Sequence, residues 1–174
     1  MDANRREELD RYSARHDCAV AYLLCTPDGR KHLASILRVQ FVGTDIKKTT
    51  YSAQTELMLG NGSADIFFAL HSATDDSWSR RSRETVRLIC EVKTGTVIAG
   101  EVIRQLRRYE RALSKEDLDV YLYGEPSART TLVLAHCQPV SAPALILLAH
   151  EGIRLIDLSD LDWDLISSHL GGEG

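Results

Sequence analysis

The chain has 174 residues and a formal net charge of −4, and 44% of its residues are hydrophobic. This length and apolar content predict one folded domain with a sizeable core and exclude a disordered chain. A net negative charge excludes attraction of nucleic acid by the overall field, so any such binding depends on local basic patches.

The first 48 residues are predicted to be mainly helical. Apolar residues recur at helical spacing over residues 9–24, and residues 26–29 interrupt this pattern. We expect a second helix to begin there, with Thr26 as its cap, Pro27 in its first turn, and one face formed by Leu33, Ile36, Leu37 and Phe41. A strand pair remains the alternative for this segment, because short apolar runs are ambiguous by periodicity.

Two buried strands are predicted next, each with an acidic residue near one end. Residues 49–59 approach period two, and the turn Gly60-Asn61-Gly62 leads into a strand over 64–70 that carries Asp65. Residues 86–92 form the second strand, which ends with Glu91 and Lys93, two apart and therefore on one face. The polar stretch 71–85 is predicted to be a long loop between them.

This set of side chains indicates a chemistry if the two strands are neighbours. Asp65 and Glu91 could then share a Mg²⁺ or Mn²⁺ ion, leaving room for waters and a substrate phosphate. Such a metal activates water for phosphodiester hydrolysis, and Lys93 would orient or help deprotonate that water. The alternative is an unrelated α/β domain in which Glu91 and Lys93 merely pair with each other.

After Lys93 the pattern alternates helices and strands, which is typical of a single α/β domain. In the first helix Gln105 and Tyr109 share a face, and the predicted buried stripe contains Val102, Ile103, Leu106, Tyr109 and Leu113. A strand over 131–137, a helix over 141–150, a strand over 152–158 and a helix over 160–169 follow. His136 is expected to be a hydrogen-bonded core residue.

Arginines form two candidate nucleic-acid contacts, although a solvated charged face is the alternative for each. One group lies in the polar stretch (Arg80, Arg81 and Arg83, with Arg87), and the other on the predicted helix (Arg104, Arg107, Arg108 and Arg111). Within them, Arg80, Arg81, Arg104 and Arg108 are the predicted nucleic-acid-binding residues. Trp78 could stack on a base or pack locally. Glu56 could be a third acidic participant or a partly exposed strand residue.

The N terminus and the cysteines indicate a cytoplasmic protein. Residues 1–8 lack the apolar stretch of a secretory signal, and the longest apolar runs are too short to span a bilayer, so no membrane partner is expected. The spacing of Cys18, Cys25, Cys90 and Cys137 is not that of zinc or iron–sulfur ligands. We expect reduced thiols, with Cys90 facing the core.

The order of these elements resembles the PD-(D/E)XK nuclease superfamily. Asp65 at the head of a strand, Glu91-Val92-Lys93 at the end of the next, and Gln105 and Tyr109 on the following helix resemble its acidic residue, its E-x-K element and the Q-x-x-x-Y element of exonuclease-V-like branches. The stretch 62–109 is also similar to archaeal mismatch-type endonucleases and, more loosely, to Holliday junction resolvases. Ala64 departs from the proline that often precedes the acidic residue.

The resemblance implies a restriction endonuclease-like α/β core, a central mixed sheet flanked by helices, over residues 49–174 of one domain. It implies that Asp65 and Glu91 bind Mg²⁺ or Mn²⁺ with the Val92 carbonyl, that Lys93 serves the attacking water, and that Gln105 and Tyr109 position substrate or the lysine. The expected activity is nucleic-acid cleavage, most simply of DNA, and a homodimer is a further expectation. The competing hypothesis is a module that keeps the fold and binds nucleic acid or protein without cleavage.

Overall fold

A computed structural model describes residues 3–38, 48–73, 83–115 and 123–170. Within these ranges the fold is α/β, as predicted, with a five-stranded mixed sheet flanked by helices. The helices are α1 (Ala3–Cys25), α2 (Pro27–Arg38), α3 (Ala99–Leu113), α4 (Ala142–His150) and α5 (Trp163–Leu170). The strands are β1 (Lys48–Leu59), β2 (Gly62–Ala73), β3 (Arg83–Lys93), β4 (Arg129–His136) and β5 (Arg154–Asp157).

The strands lie in the sheet in the order in which they follow one another along the chain. β1 pairs with β2 and β2 with β3 in antiparallel fashion, whereas β3, β4 and β5 are parallel. Parallel neighbours need a crossover connection, and α3 and α4 lie within these two connections. The β1–β2 turn is tight, and Gly60 in it has a φ of 66°, a conformation that favours glycine.

Two apolar layers sandwich the sheet because the side chains of each strand alternate between its faces. On one face Ile66, Phe68, Leu88 and Cys90 share a cluster with residues of α1 and α2, including Leu23 and Leu33. On the other face Phe67, Ala69 and Ile89 pack against α3 and α4 residues such as Leu106 and Leu148. The N-terminal helices therefore share a core with the sheet, and the burial predicted for Cys90 is confirmed.

The second segment is helical, so the strand-pair alternative is wrong. The Thr26 hydroxyl accepts a hydrogen bond from the Gly29 amide at 3.0 Å, which caps the first turn of α2. Leu33 and Leu37 are buried, as the periodicity predicts. Phe41 lies outside the described residues.

The predicted loop over 71–85 is wrong at both ends, because β2 continues to Ala73 and β3 already begins at Arg83. His71 is buried and hydrogen-bonds Thr85 Oγ1 on β3 and Ser52 Oγ on β1, each at 3.0 Å. A buried polar residue whose hydrogen bonds are made within the sheet can continue a strand. The apolar pattern of the sequence predicts that the strand ends before such a residue. Residues 74–82, with Trp78, Arg80 and Arg81, lie outside the described residues.

Arg87 is not a surface contact, which corrects its place in the first basic group. It is buried, with 1% of its surface exposed, and burial lowers its pKa. Its guanidinium donates to Thr130 Oγ1 at 2.8 Å and to the backbone carbonyls of Tyr123, Glu125 and Pro126 at 2.9, 3.2 and 3.1 Å. The group therefore fixes the chain that enters β4. The side chain of Arg83 lies outside the described residues.

The C-terminal elements follow the prediction. β4, α4, β5 and α5 lie where the sequence pattern places them, with ends shifted by a few residues. His136 is buried, and its Nδ1 lies 3.0 Å from the Gln138 carbonyl oxygen, as expected of a satisfied core histidine. Among the described helices none combines the length and apolar character needed to cross a bilayer.

Helices α1 and α2 can approach each other closely because Gly29 has no side chain. A Cβ atom at Gly29 would lie 2.1 Å from the Tyr22 carbonyl oxygen, whereas one at Gly100 meets nothing within 4 Å. We expect Gly29→Ala to lower the free energy of unfolding by about 1–3 kcal/mol or more, because backbone must move. Gly100→Ala, the matched control, should leave stability unchanged or raise it by less than about 1 kcal/mol. Urea denaturation of both variants tests this, and equal effects would contradict it.

Candidate functional site

Asp65 lies where the β2–β3 ladder ends. The last paired residues are Ile66 and Cys90, and beyond them Asp65 Oδ2 accepts a hydrogen bond from the Val92 amide at 2.7 Å. The carboxylate therefore replaces a backbone acceptor and is almost fully buried. Because β2 and β3 are neighbours, which is the condition for a shared site, this places Asp65 at the end of β3 that carries Glu91 and Lys93.

Glu91 is the most deeply buried charged group of the site, with 4% of its side chain exposed. Its Oε1 accepts hydrogen bonds from Lys93 Nζ and from Gln105 Nε2, both at 2.7 Å. Its Oε2 is buried as well, and no described residue hydrogen-bonds it. Oε1 of this carboxylate thus accepts two hydrogen bonds, whereas Oε2 accepts none from the residues that the structure describes.

Helix α3 supplies the groups that hold this pair. Gln105 and Tyr109 are one turn apart, and Gln105 Nε2 donates to the Tyr109 hydroxyl at 2.9 Å. Gln105 Oε1 lies 3.5 Å from Lys93 Nζ, so the amide contacts both charged groups. A Cβ at Gly62 would lie 3.2 Å from the Tyr109 ring, so a glycine at the start of β2 lets the strand approach the helix.

The surroundings of Glu91 disfavour its charged form. Its pKa is raised, chiefly because burial disfavours the carboxylate and secondly because the Asp65 carboxylate lies nearby. Lys93 and Gln105 act in the opposite direction but do not outweigh these two causes. The site therefore favours an additional positive charge.

His16 on α1 joins the site and was not predicted as part of it. Its Nε2 lies 3.3 Å from Asp65 Oδ2. This hydrogen bond is the main cause that raises the pKa of His16 to about 9, against the opposing effect of burial. The sequence signal was a histidine within an otherwise apolar helical stripe, but the pattern does not identify a partner on a distant strand.

The remaining candidates are placed as follows. Glu56 is exposed at a φ of 51°, where the β1–β2 ladder skips it, and its Oε2 accepts from Ser63 Oγ at 2.7 Å. This matches the interpretation of Glu56 as a surface strand residue. Val92 contributes its amide to Asp65. Arg104 and Arg108 are exposed on α3.

The candidate metal ligands are two carboxylates rather than a larger cluster. Within the described ranges no three His, Cys, Asp or Glu side chains are grouped so that they could hold a metal ion. Comparisons of the chain with protein-family models, curated proteins and solved structures gave no match. The interpretation of the site therefore rests on its geometry.

The contact between His16 and Asp65 predicts a pH-dependent stability. Because folding raises the pKa of His16 from 6.5 to about 9, its contribution is fully present below pH 6.5 and is lost as the pH rises through about 9. We expect His16→Gln to be less stable than wild type near neutral pH, with a difference that shrinks towards about pH 10.

Urea midpoints measured across this pH range in the presence of a chelator test the prediction. His32→Gln is the control, since His32 is an exposed histidine on α2. A His16→Gln difference that stays constant, or grows in alkali, would contradict the contact.

Proposed function

We propose that the chain is a metal-dependent nuclease that hydrolyses phosphodiester bonds, most simply in DNA. The observation that carries the proposal is that Glu91 Oε2 is buried and that no described residue hydrogen-bonds it. The Asp65 carboxylate lies nearby, and the partly exposed Lys93 contacts the other oxygen of Glu91. The resemblance to PD-(D/E)XK nucleases in the order Asp65, Glu91, Lys93 supports it further.

An uncompensated buried oxygen indicates a ligand. Leaving a buried acceptor unpaired costs about 1–3 kcal/mol, and more when the group is charged. Asp65 and Glu91 are each fixed by protein donors at one oxygen, Oδ2 and Oε1 respectively. The side chains are therefore held in place while Glu91 Oε2 remains available to a cation.

The donor set fits a hard divalent cation, which prefers carboxylate oxygens and keeps several waters. Asp65 and Glu91 would hold it, together with the Val92 carbonyl. The Lys93 carbonyl accepts from the Cys137 amide beyond β4, and successive carbonyls of a strand point to opposite edges, so that of Val92 is expected to face β2 and Asp65. A bound Mg²⁺ or Mn²⁺ ion supplies water activation and neutralisation of phosphate charge.

The chain's own residues orient the reactants. Lys93 has 34% of its side chain exposed, while its Nζ is held by Glu91 Oε1 and Gln105 Oε1. Its ammonium has three donors, so it can also hydrogen-bond a water or a phosphate oxygen that enters from solvent. Gln105 and Tyr109 fix this pair, whereas the Val92 amide and His16 fix Asp65.

Two substitutions test the activity. We expect Glu91→Gln and Lys93→Met each to lower the cleavage rate by about 10²–10⁴-fold or more, because each removes a charge from the reacting centre. Asp28→Asn, which alters an exposed carboxylate in the first turn of α2, should retain the wild-type rate. The measurement is cleavage of plasmid, single-stranded and branched DNA in Mg²⁺ or Mn²⁺.

The outcomes are distinct. Cleavage that persists unchanged in both site variants would contradict the proposed site and indicate a contaminating nuclease. Binding of nucleic acid by the wild-type chain without cleavage in either metal would favour the non-catalytic module.

A further inference from the structure

A row of arginines runs along the solvent face of α3 beside the site. Arg104, Arg108 and Arg111 are exposed and recur at i, i+4 and i+7, which places them on one side of the helix. Along the helix axis, Arg108 and Arg111 lie about 6 Å and 10.5 Å from Arg104. The chain as a whole carries a formal charge of −4, so this positive face is a local feature.

The guanidinium groups of these three arginines differ from that of Arg107 in their ion pairing. Arg107 forms ion pairs with Glu110 at 2.9 Å and with Glu151 at 3.5 Å. No described acidic residue pairs with the other three. Arg108 lies over the Tyr109 ring, 5.2 Å from its centroid, and Arg111 donates from Nε to the Arg107 carbonyl at 3.2 Å. Neither contact supplies a negative charge, so these guanidinium groups are uncompensated among the described residues.

A groove of about 600 Å³ lies along this row and shares Gln105 with the site. Its lining is formed by α3 residues: Glu101, Ile103, Arg104, Gln105, Arg107, Arg108 and Arg111. Gln105 belongs to both places, because its amide also donates to Glu91 Oε1. At the other end the groove approaches the β1–β2 turn, since a Cβ at Gly62 would lie 2.8 Å from Arg108 Nη2.

We infer that Arg104, Arg108 and Arg111 bind the phosphates of a nucleic-acid strand that runs from the site along α3 towards the β1–β2 turn. Guanidinium groups bind phosphate oxygens with two parallel hydrogen bonds, which suits a row of regularly spaced anions. The choice of nucleic acid over another polyanion rests on the proposed function. Tyr109 beneath the row is buried, so no ring is exposed for base stacking among the described residues of the lining. Contacts to phosphate carry no sequence information, so binding through this row is expected to be independent of sequence.

The test is fluorescence anisotropy of the full chain with random-sequence oligonucleotides, single-stranded and duplex, in a chelator that prevents cleavage. Arg104→Gln, Arg108→Gln and Arg111→Gln should each weaken binding several-fold, and to the same extent for two oligonucleotides of unrelated sequence. Each should also reduce the slope of log affinity against log salt by about 0.7 for a single strand or about 0.9 for a duplex. Circular dichroism confirms that the variants are folded.

Two control variants separate the row from general charge. Arg154→Gln removes one exposed positive charge from β5, outside the groove, and should leave the slope unchanged. Arg38→Gln removes one exposed positive charge from the last turn of α2, also outside the groove, and should likewise leave the slope unchanged. Equal losses in the controls and in the three row variants, or no binding in chelator, would overturn the inference.

Two further outcomes are informative. If poly-glutamate of matched charge displaces the oligonucleotide as well as unlabelled DNA does, the groove takes an acidic polypeptide and the inference is wrong. Failure of the proposed function is distinguishable, because arginine-dependent binding without cleavage sustains the row and rejects the nuclease. If the wild type cleaves DNA and the row variants bind as tightly as wild type, the nuclease proposal stands and the inference about the arginine row is wrong.

Discussion

The hydrogen bonds that Glu91 receives from Lys93 and Gln105 are the interaction on which the site depends. A carboxylate with 4% of its side chain exposed is costly to keep ionised, and burial and Asp65 both raise its pKa. Two donors on Oε1 compensate only part of that cost, and Oε2 is left without a described partner. A cation at Oε2, as proposed for this site, would compensate the remainder.

The topology explains how distant segments reach this carboxylate. The antiparallel pairing of β2 with β3 brings Asp65 to the end of β3, and the crossover to β4 places α3 over one face of the sheet, with Gln105 above Glu91. From the opposite layer, α1 contributes His16 to Asp65. The site thus lies where both helical layers meet the end of a strand, which is also where the ladder stops and leaves polar backbone to be satisfied.

The sequence predicts the parts of the site that depend on local geometry. Glu91 and Lys93 are two residues apart on a strand, and Gln105 and Tyr109 are four apart on a helix, so each pair shares a face. The turn at Gly60 brings β1 and β2 together. His16 could not be predicted, because its contact with Asp65 depends on how α1 packs against the sheet. Arg87 and His71 show the same limit, since buried polar groups are satisfied by partners from distant segments and therefore break the apolar pattern without breaking the strand.

Glu91 Oε2, which no described residue hydrogen-bonds, is the proposed ligand position for a divalent cation. The most direct measurement is the anomalous diffraction signal from crystals of the wild-type chain soaked in Mn²⁺. We expect one strong peak about 2.1 Å from Glu91 Oε2, with a second contact from Asp65. A map without density at this position, or one in which Oε2 accepts a hydrogen bond from a protein group such as Lys93, would contradict it.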